Sequence, residues 1–180
     1  MPRLFSAVEL PDYVAEDLRT RLDKVRAEAE ALRWVAAGSW HITLGFYGNR
    51  EHADRRGAWL RRRAAGLLAP RIRLASAGGF PGVLWIGVDP ANRAAERALF
   101  AVAAAARPEE GTEEDYRPHM TVARWRRGPQ RNPLAERATL ALGDYLGPWW
   151  VPAELVLFSS QTRPDGPVYS AVERIPLTVS

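Results

Sequence analysis

The chain contains no cysteine. That excludes a disulfide framework, a thiolate metal site and a cysteine nucleophile. Lysine is nearly absent too: Lys24 is the sole one, so arginine supplies the rest of the positive charge in a chain of formal net charge +4. Guanidinium presents a planar fork of donors that fits phosphate oxygens and stacks on bases. Basicity alone does not name a partner, because an arginine-rich composition can also be a proteome-wide bias. Long apolar runs are missing as well. The opening stretch is short and broken by Glu9, which does not fit a signal peptide. The most apolar later stretch, residues 98–106, is alanine-rich and far too short to span a bilayer. The expectation is a soluble, cytoplasmic, monomeric protein with no membrane partner.

What is present suits one compact unit. The chain has 180 residues, 47% of them hydrophobic and 26% charged, which is enough to bury a core in a single domain of two lobes spanning 1–180. Residues 3–9 alternate as a strand. A helix follows over 12–32, with Asp12 as its N-cap and Val14, Leu18, Leu22 and Val25 at helical spacing. A strand is expected over 40–47 and an amphipathic helix over 54–68. Strands over 71–75 and 83–88 are joined through a glycine-rich connection at 78–82. A helix over 92–106 leads into an acidic, turn-prone stretch at 108–115, then a strand over 118–125. A basic loop at 126–132, a helix over 133–140 and two closing strands over 151–160 and 168–177 complete the chain. Strands and helices are mixed and no low-complexity linker divides them. The expected fold class is therefore α+β with two similar lobes.

Histidine is scarce, and two of the three sit in one repeated pattern. His41-Ile42-Thr43-Leu44 and His119-Met120-Thr121-Val122 both read H-x-T-x with apolar residues at x. On a strand, side chains alternate faces, so each His shares a face with its Thr while the apolar pair turns to the core. Imidazole titrates near neutrality and serves as acid or base. Hydroxyls offer fixed donors to phosphate oxygens. Two such units around one phosphorus would provide an acid, a base and two donors, with no metal or other cofactor. A single H-x-T-x carries little information; two copies that use two of three histidines carry much more.

These motifs and their flanks resemble the two-histidine phosphoesterase superfamily, and within it the bacterial RNA 2′,3′-cyclic phosphodiesterases, also called 2′-5′ RNA ligases. The resemblance runs nearly end to end. It includes residues 3–11, Trp34-Val35, Gly45-Phe46-Tyr47-Gly48 after the first motif, and Gly79-Phe80-Pro81. It continues through 83–88, Tyr116-Arg117-Pro118 before the second motif, 157–160 and Gly166-Pro167-Val168-Tyr169. Tyr47 and Tyr116 stand where the family often has Leu and Phe. The resemblance implies two pseudo-symmetric lobes, each an antiparallel sheet with helices outside, and motifs on facing central strands of a cleft. It implies hydrolysis of terminal 2′,3′-cyclic phosphates to 2′-phosphomonoesters. His41 would be the proton donor and His119 the proton acceptor, with reverse 2′-5′ ligation as a second direction. The motifs are too symmetric for the residues alone to assign the two roles. A cyclic phosphate on a small nucleotide, such as ADP-ribose cyclic phosphate, is an alternative substrate. A non-catalytic RNA-binding module is an alternative of another class.

Arg124 follows the second motif, where the family usually has Arg, and would contact phosphate or base beside Thr43 and Thr121. Strict alternation turns it away from His119. It reaches the cleft only where the strand ends or bulges near Ala123. Phe46, Tyr47, Phe80 and Trp125 are candidates to stack a base. His52 reads as a surface residue, and the arginines of 55–63 as a solvated helix face.

Overall fold

The computed structural model describes residues 2–108, 115–128 and 131–180. In chain order the elements are β1 (Arg3–Glu9), α1 (Asp12–Glu28), β2 (Arg33–Trp34), β3 (His41–Gly48), α2 (Ala53–Ala64), β4 (Ile72–Phe80) and β5 (Val83–Pro90). There follow α3 (Arg93–Ala106), β6 (His119–Arg124), α4 (Pro133–Leu142), β7 (Glu154–Arg163) and β8 (Gly166–Pro176). The strands form two four-stranded sheets, β3-β1-β7-β8 and β2-β6-β5-β4, with antiparallel pairing throughout. The α+β expectation is met. No helix among the described residues is long and apolar enough to cross a membrane.

The helices form where apolar residues recur at 3.6-residue spacing. Val14, Leu18, Leu22 and Val25 are the buried stripe of α1. Its N-cap is Pro11 rather than Asp12, with no side-chain cap bond. Asp12 sits one place inside, where its carboxylate complements the positive end of the helix dipole. The helix stops at Glu28 instead of continuing to Leu32, though Leu32 remains buried beyond it. The second helix also ends early, at Ala64, two residues before Gly66 takes φ +75°. In α3 and α4 the cap is explicit: Asn92 and Asn132 accept backbone N–H bonds at 2.9–3.2 Å.

Both hairpins are tighter than their sequences suggest. Strand β4 runs straight through Gly78-Gly79-Phe80, so Pro81-Gly82 alone makes the turn to β5. Gly82 has φ +83°, as a proline-glycine turn requires. Likewise Pro164-Asp165 alone joins β7 to β8. The stretches 109–114 and 129–130 lie outside the described residues, so most of the expected acidic turn and part of the basic loop are not described.

The two sheets are not the two halves of the sequence. Strands β7 and β8, from the C-terminal third, join β1 and β3, while the short β2 crosses to pair with β6. Helix α3 packs on β3 and α2 on β8, whereas α4 packs on β4 and against α1. The motif strands also differ from expectation. Strand β3 is the outer strand of its sheet, and β6 is interior only because β2 covers it. The two pack against each other, so the edge position of β3 lets the two motifs meet at the junction between sheets.

Candidate active site

Both motif strands obey the same local rule. Ile42, Leu44, Met120 and Val122 are buried in the core, which fixes His41, Thr43, His119 and Thr121 on the opposite face. Each strand then bulges at the fourth residue of its motif. Ser6 pairs with Gly45 and Ala7 with Thr43, leaving Leu44 unpaired. Leu84 pairs with Ala123 and Trp85 with Thr121, leaving Val122 unpaired. A bulge shifts the alternation by one residue. Phe46 and Arg124, each five residues after its histidine, are therefore turned to the same side as His41 and His119. This resolves the alternation problem posed by Arg124.

The two histidines are anchored alike. His41 Nδ1 lies 2.8 Å from the Ser39 carbonyl oxygen, and His119 Nδ1 lies 2.6 Å from that of Arg117. A carbonyl only accepts, so each Nδ1 carries the proton and donates. The neutral ring then holds its lone pair on Nε2. Aromatic rings wedge each imidazole. Phe5 lies 4.8 Å from His41 and Tyr169 stands edge-on at 5.3 Å. Phe80 stands edge-on to His119 at 5.3 Å, with Trp85 at 6.2 Å. Trp85 in turn lies over Gly78, where any side chain would collide with its indole. That is the reason for glycine there.

Both motifs open into one cavity of about 900 Å³, lined by His41, Thr43, His119, Thr121, Phe46 and Arg124 among others. Among the described residues its charged lining is Arg3, Arg33 and Arg124 against the single carboxylate of Asp165, a balance that attracts anions. Burial holds the His41 imidazole below its usual range; the Ser39 carbonyl opposes this, and the Arg124 charge adds to it. Among the described residues no three His, Asp or Glu side chains gather as a metal-ligand set. The arrangement offers two free imidazole nitrogens, two hydroxyls and guanidinium donors facing one space, which are the parts that acid–base chemistry at a phosphate needs.

Residues 10–156 match the model of the 2′-5′ RNA ligase superfamily. The chain belongs to that superfamily, the two-histidine phosphoesterases. It is 32% identical to an RNA 2′,3′-cyclic phosphodiesterase of Thermus thermophilus, over 97% of this chain and 90% of that one. It is 28% identical to an RNA 2′,3′-cyclic phosphodiesterase of Methanothermobacter thermautotrophicus, over 95% and 96% of the two chains. Among solved structures, a protein of Thermus thermophilus superposes with a TM-score of 0.66 at 27% identity, covering 97% of both chains.

Within this superfamily member, the structure brings together His41, His119, Thr43, Thr121 and Arg124, all five residues singled out from the sequence. Of the stacking candidates, Phe46 lines the cavity and is exposed, and Phe80 backs His119. Tyr47 does not reach the cavity: it is buried, with its hydroxyl donating to the Ala106 carbonyl at 2.7 Å. Trp125 packs on the core. His52 precedes α2 and lies outside the cavity. Sequence reasoning missed Phe5, Tyr169 and Arg33 as site residues. The first two lie within blocks that carry the family resemblance, and alternation along β1 would have placed Phe5 beside the motif face. Nothing local marks Arg33, whose place depends on a two-residue strand crossing between sheets.

Proposed function

We propose that this phosphodiesterase-family enzyme opens 2′,3′-cyclic phosphates at RNA ends to 2′-phosphomonoesters, with His41 as proton donor and His119 as proton acceptor. The observation that carries the reading is the matched pair of imidazoles. Each is pinned through Nδ1 to a backbone carbonyl two residues upstream, so each Nε2 is left for chemistry in one arginine-lined cavity. Both curated relatives bear the name of that activity.

In the proposed step, His119 Nε2 takes a proton from water as its oxygen attacks phosphorus. His41 Nε2–H gives a proton to the 3′ oxygen as the P–O3′ bond breaks. The P–O2′ bond stays, leaving a 2′-phosphate and a 3′-hydroxyl. Thr43 and Thr121 donate to the non-bridging oxygens, where charge builds in the transition state. Arg124 holds the nucleotide by phosphate contact or by stacking. Burial of His41 opposes the protonated state that a donor needs, and the negative charge of a bound cyclic phosphate favours it. The same opening with a 5′-hydroxyl in place of water forms a 2′-5′ linkage, the P–O3′ bond breaking as before.

The test is incubation of an oligonucleotide ending in a 2′,3′-cyclic phosphate, with the product identified by ³¹P NMR. A 2′-phosphomonoester is expected. A 3′-phosphomonoester would reverse which bond breaks, and an unchanged substrate would refute the reading.

A further inference from the structure

Two arginines that line the cleft sit opposite one another on neighbouring strands, with no ion pair to either among the described residues. Arg33 on β2 and Arg124 on β6 are directly opposed in the antiparallel register. Both are exposed and both line the cavity that holds the histidines. Neither forms an ion pair or a side-chain hydrogen bond among the described residues, and Asp165, which lines the same cavity, pairs with neither. Like charges directly opposite on a sheet repel. Here the backbone enforces the opposition. The Trp34 indole donates to the Ala29 carbonyl at 3.0 Å. The Val35 N–H continues the ladder to Val122 at 2.9 Å. The bulge at Val122 then turns Arg124 into the cleft. Two independent features therefore aim two unpaired charges at the same space, where a bound anion would offset their repulsion.

This anion is not the one between the histidines. Strand β6 leads from Thr121 to Arg124 over three residues, about 10 Å at ordinary strand rise and less across the bulge. Resting on the phosphodiesterase reading above, we propose that Arg33 and Arg124 together bind the 5′-phosphoryl group of the nucleotide whose cyclic phosphate is opened. Two planar forks can each receive a pair of non-bridging oxygens. The group is supplied either by the phosphodiester that continues an RNA chain or by a terminal 5′-phosphate. In both cases Arg33 makes the enzyme prefer a 5′-phosphorylated cyclic nucleotide to one with a free 5′-hydroxyl.

The experiment compares kcat/KM for three substrates: adenosine 2′,3′-cyclic phosphate, its 5′-phosphorylated form, and the ApA dinucleotide ending in the cyclic phosphate. The natural protein should prefer a 5′-phosphorylated substrate by about 10- to 100-fold, the range of a hydrogen bond to a charged group. In Arg33→Gln that preference should collapse, with kcat/KM falling much further on the 5′-phosphorylated substrates than on the 5′-hydroxyl one. Its salt dependence on the dinucleotide should flatten by about 0.7 in log–log slope, one single-strand phosphate contact. Preference for the dinucleotide alone would assign the site to an internucleotide phosphodiester, and preference for both to any 5′-phosphate. Preference unchanged in Arg33→Gln, or equal loss on all three substrates, overturns the proposal. Should the natural protein turn over none of them, the phosphodiesterase reading fails by itself. Calorimetric binding of adenosine 5′-monophosphate then decides the arginine pair: weaker in Arg33→Gln supports it, unchanged refutes it.

Discussion

The Tyr116 hydroxyl donates a 3.0 Å hydrogen bond to the backbone carbonyl of Thr43. Tyr116 stands three residues before His119, and Thr43 two residues after His41, so this bond ties one histidine motif to the other across the sheet junction. Burial pushes the Tyr116 hydroxyl far above the usual phenol range, so it remains a donor at any working pH. Phe100 packs edge-on against its ring at 6.0 Å. Removing the hydroxyl leaves the Thr43 carbonyl without this donor, a loss of about 1–3 kcal/mol if water does not replace it. Tyr116→Phe should lower Tm by a few degrees. It should also reduce kcat more than it raises KM, because the registration of acid and base is what loosens. A fall in Tm with unchanged kcat would confine Tyr116 to stability.

The half-buried His41 gives a pH dependence of defined sign. Its folded pKa is lowered, by burial first, with the Ser39 carbonyl opposing and the Arg124 charge adding a smaller push down. Folding therefore favours the neutral ring. That contribution is present above the unfolded value of about 6.5 and is lost as pH falls through the lowered folded value. The groups facing His41 are Arg124 across the cleft and the aromatic rings of Phe5, Phe158 and Tyr169. An NMR titration of His41 should give a midpoint below the ordinary imidazole value. Arg124→Gln should move that midpoint up, and a bound phosphate monoester should move it up further. A midpoint at or above the ordinary value in the free protein contradicts the burial argument.

Gly45, directly after the first motif, is set by a close approach. A methyl group there would meet the Ala106 carbonyl, where α3 ends, far inside contact distance. That same carbonyl accepts the Tyr47 hydroxyl, which also lies 2.8 Å from Ser6 Oγ. Overpacking of a core site typically costs about 1–3 kcal/mol. For a chain of this size each kcal/mol lowers Tm by roughly 2–4 °C. Gly45→Ala should therefore melt several degrees lower. An unchanged Tm would mean that the end of α3 yields freely.

The positions of the two histidines and threonines were legible in sequence because strand alternation is a rule of period two and the core residues between them are unmistakable. Arg124 was half legible: alternation alone turned it away, and only the pairing of β5 with β6 reveals the unpaired Val122 that turns it back. Boundaries went astray where backbone, not hydrophobic pattern, decides. Leu32 keeps the helical spacing of α1 but lies beyond its end, and Gly78-Gly79 reads as a turn but pairs as strand because Trp85 covers Gly78. Long-range pairing was not legible at all. Nothing local shows that β2 crosses to β6, or that β7 and β8 return to β1, and so Arg33 and Tyr169 were not placed at the site.

The acid–base pair makes the sharpest prediction. His41→Ala and His119→Ala should each remove most turnover, since a general acid or base typically contributes about 100- to 10,000-fold. The double mutant should be little worse than either single mutant, because groups acting in one step are strongly non-additive. Thr43→Ala and Thr121→Ala should cost less, each removing one donor to the phosphate. Turnover should survive excess EDTA, because the proposed step draws only on these side chains. The pH–rate profile should be bell-shaped, but the motifs are too symmetric for that profile to say which histidine gives and which takes. A substrate with an activated leaving group at the 3′ position separates them, because its departing oxygen needs little protonation. It should restore turnover to His41→Ala and not to His119→Ala. The opposite rescue would exchange the two roles, a result that the lowered pKa of His41 in the free protein would then explain. Near-normal turnover by either single mutant on the natural substrate would end the two-histidine mechanism.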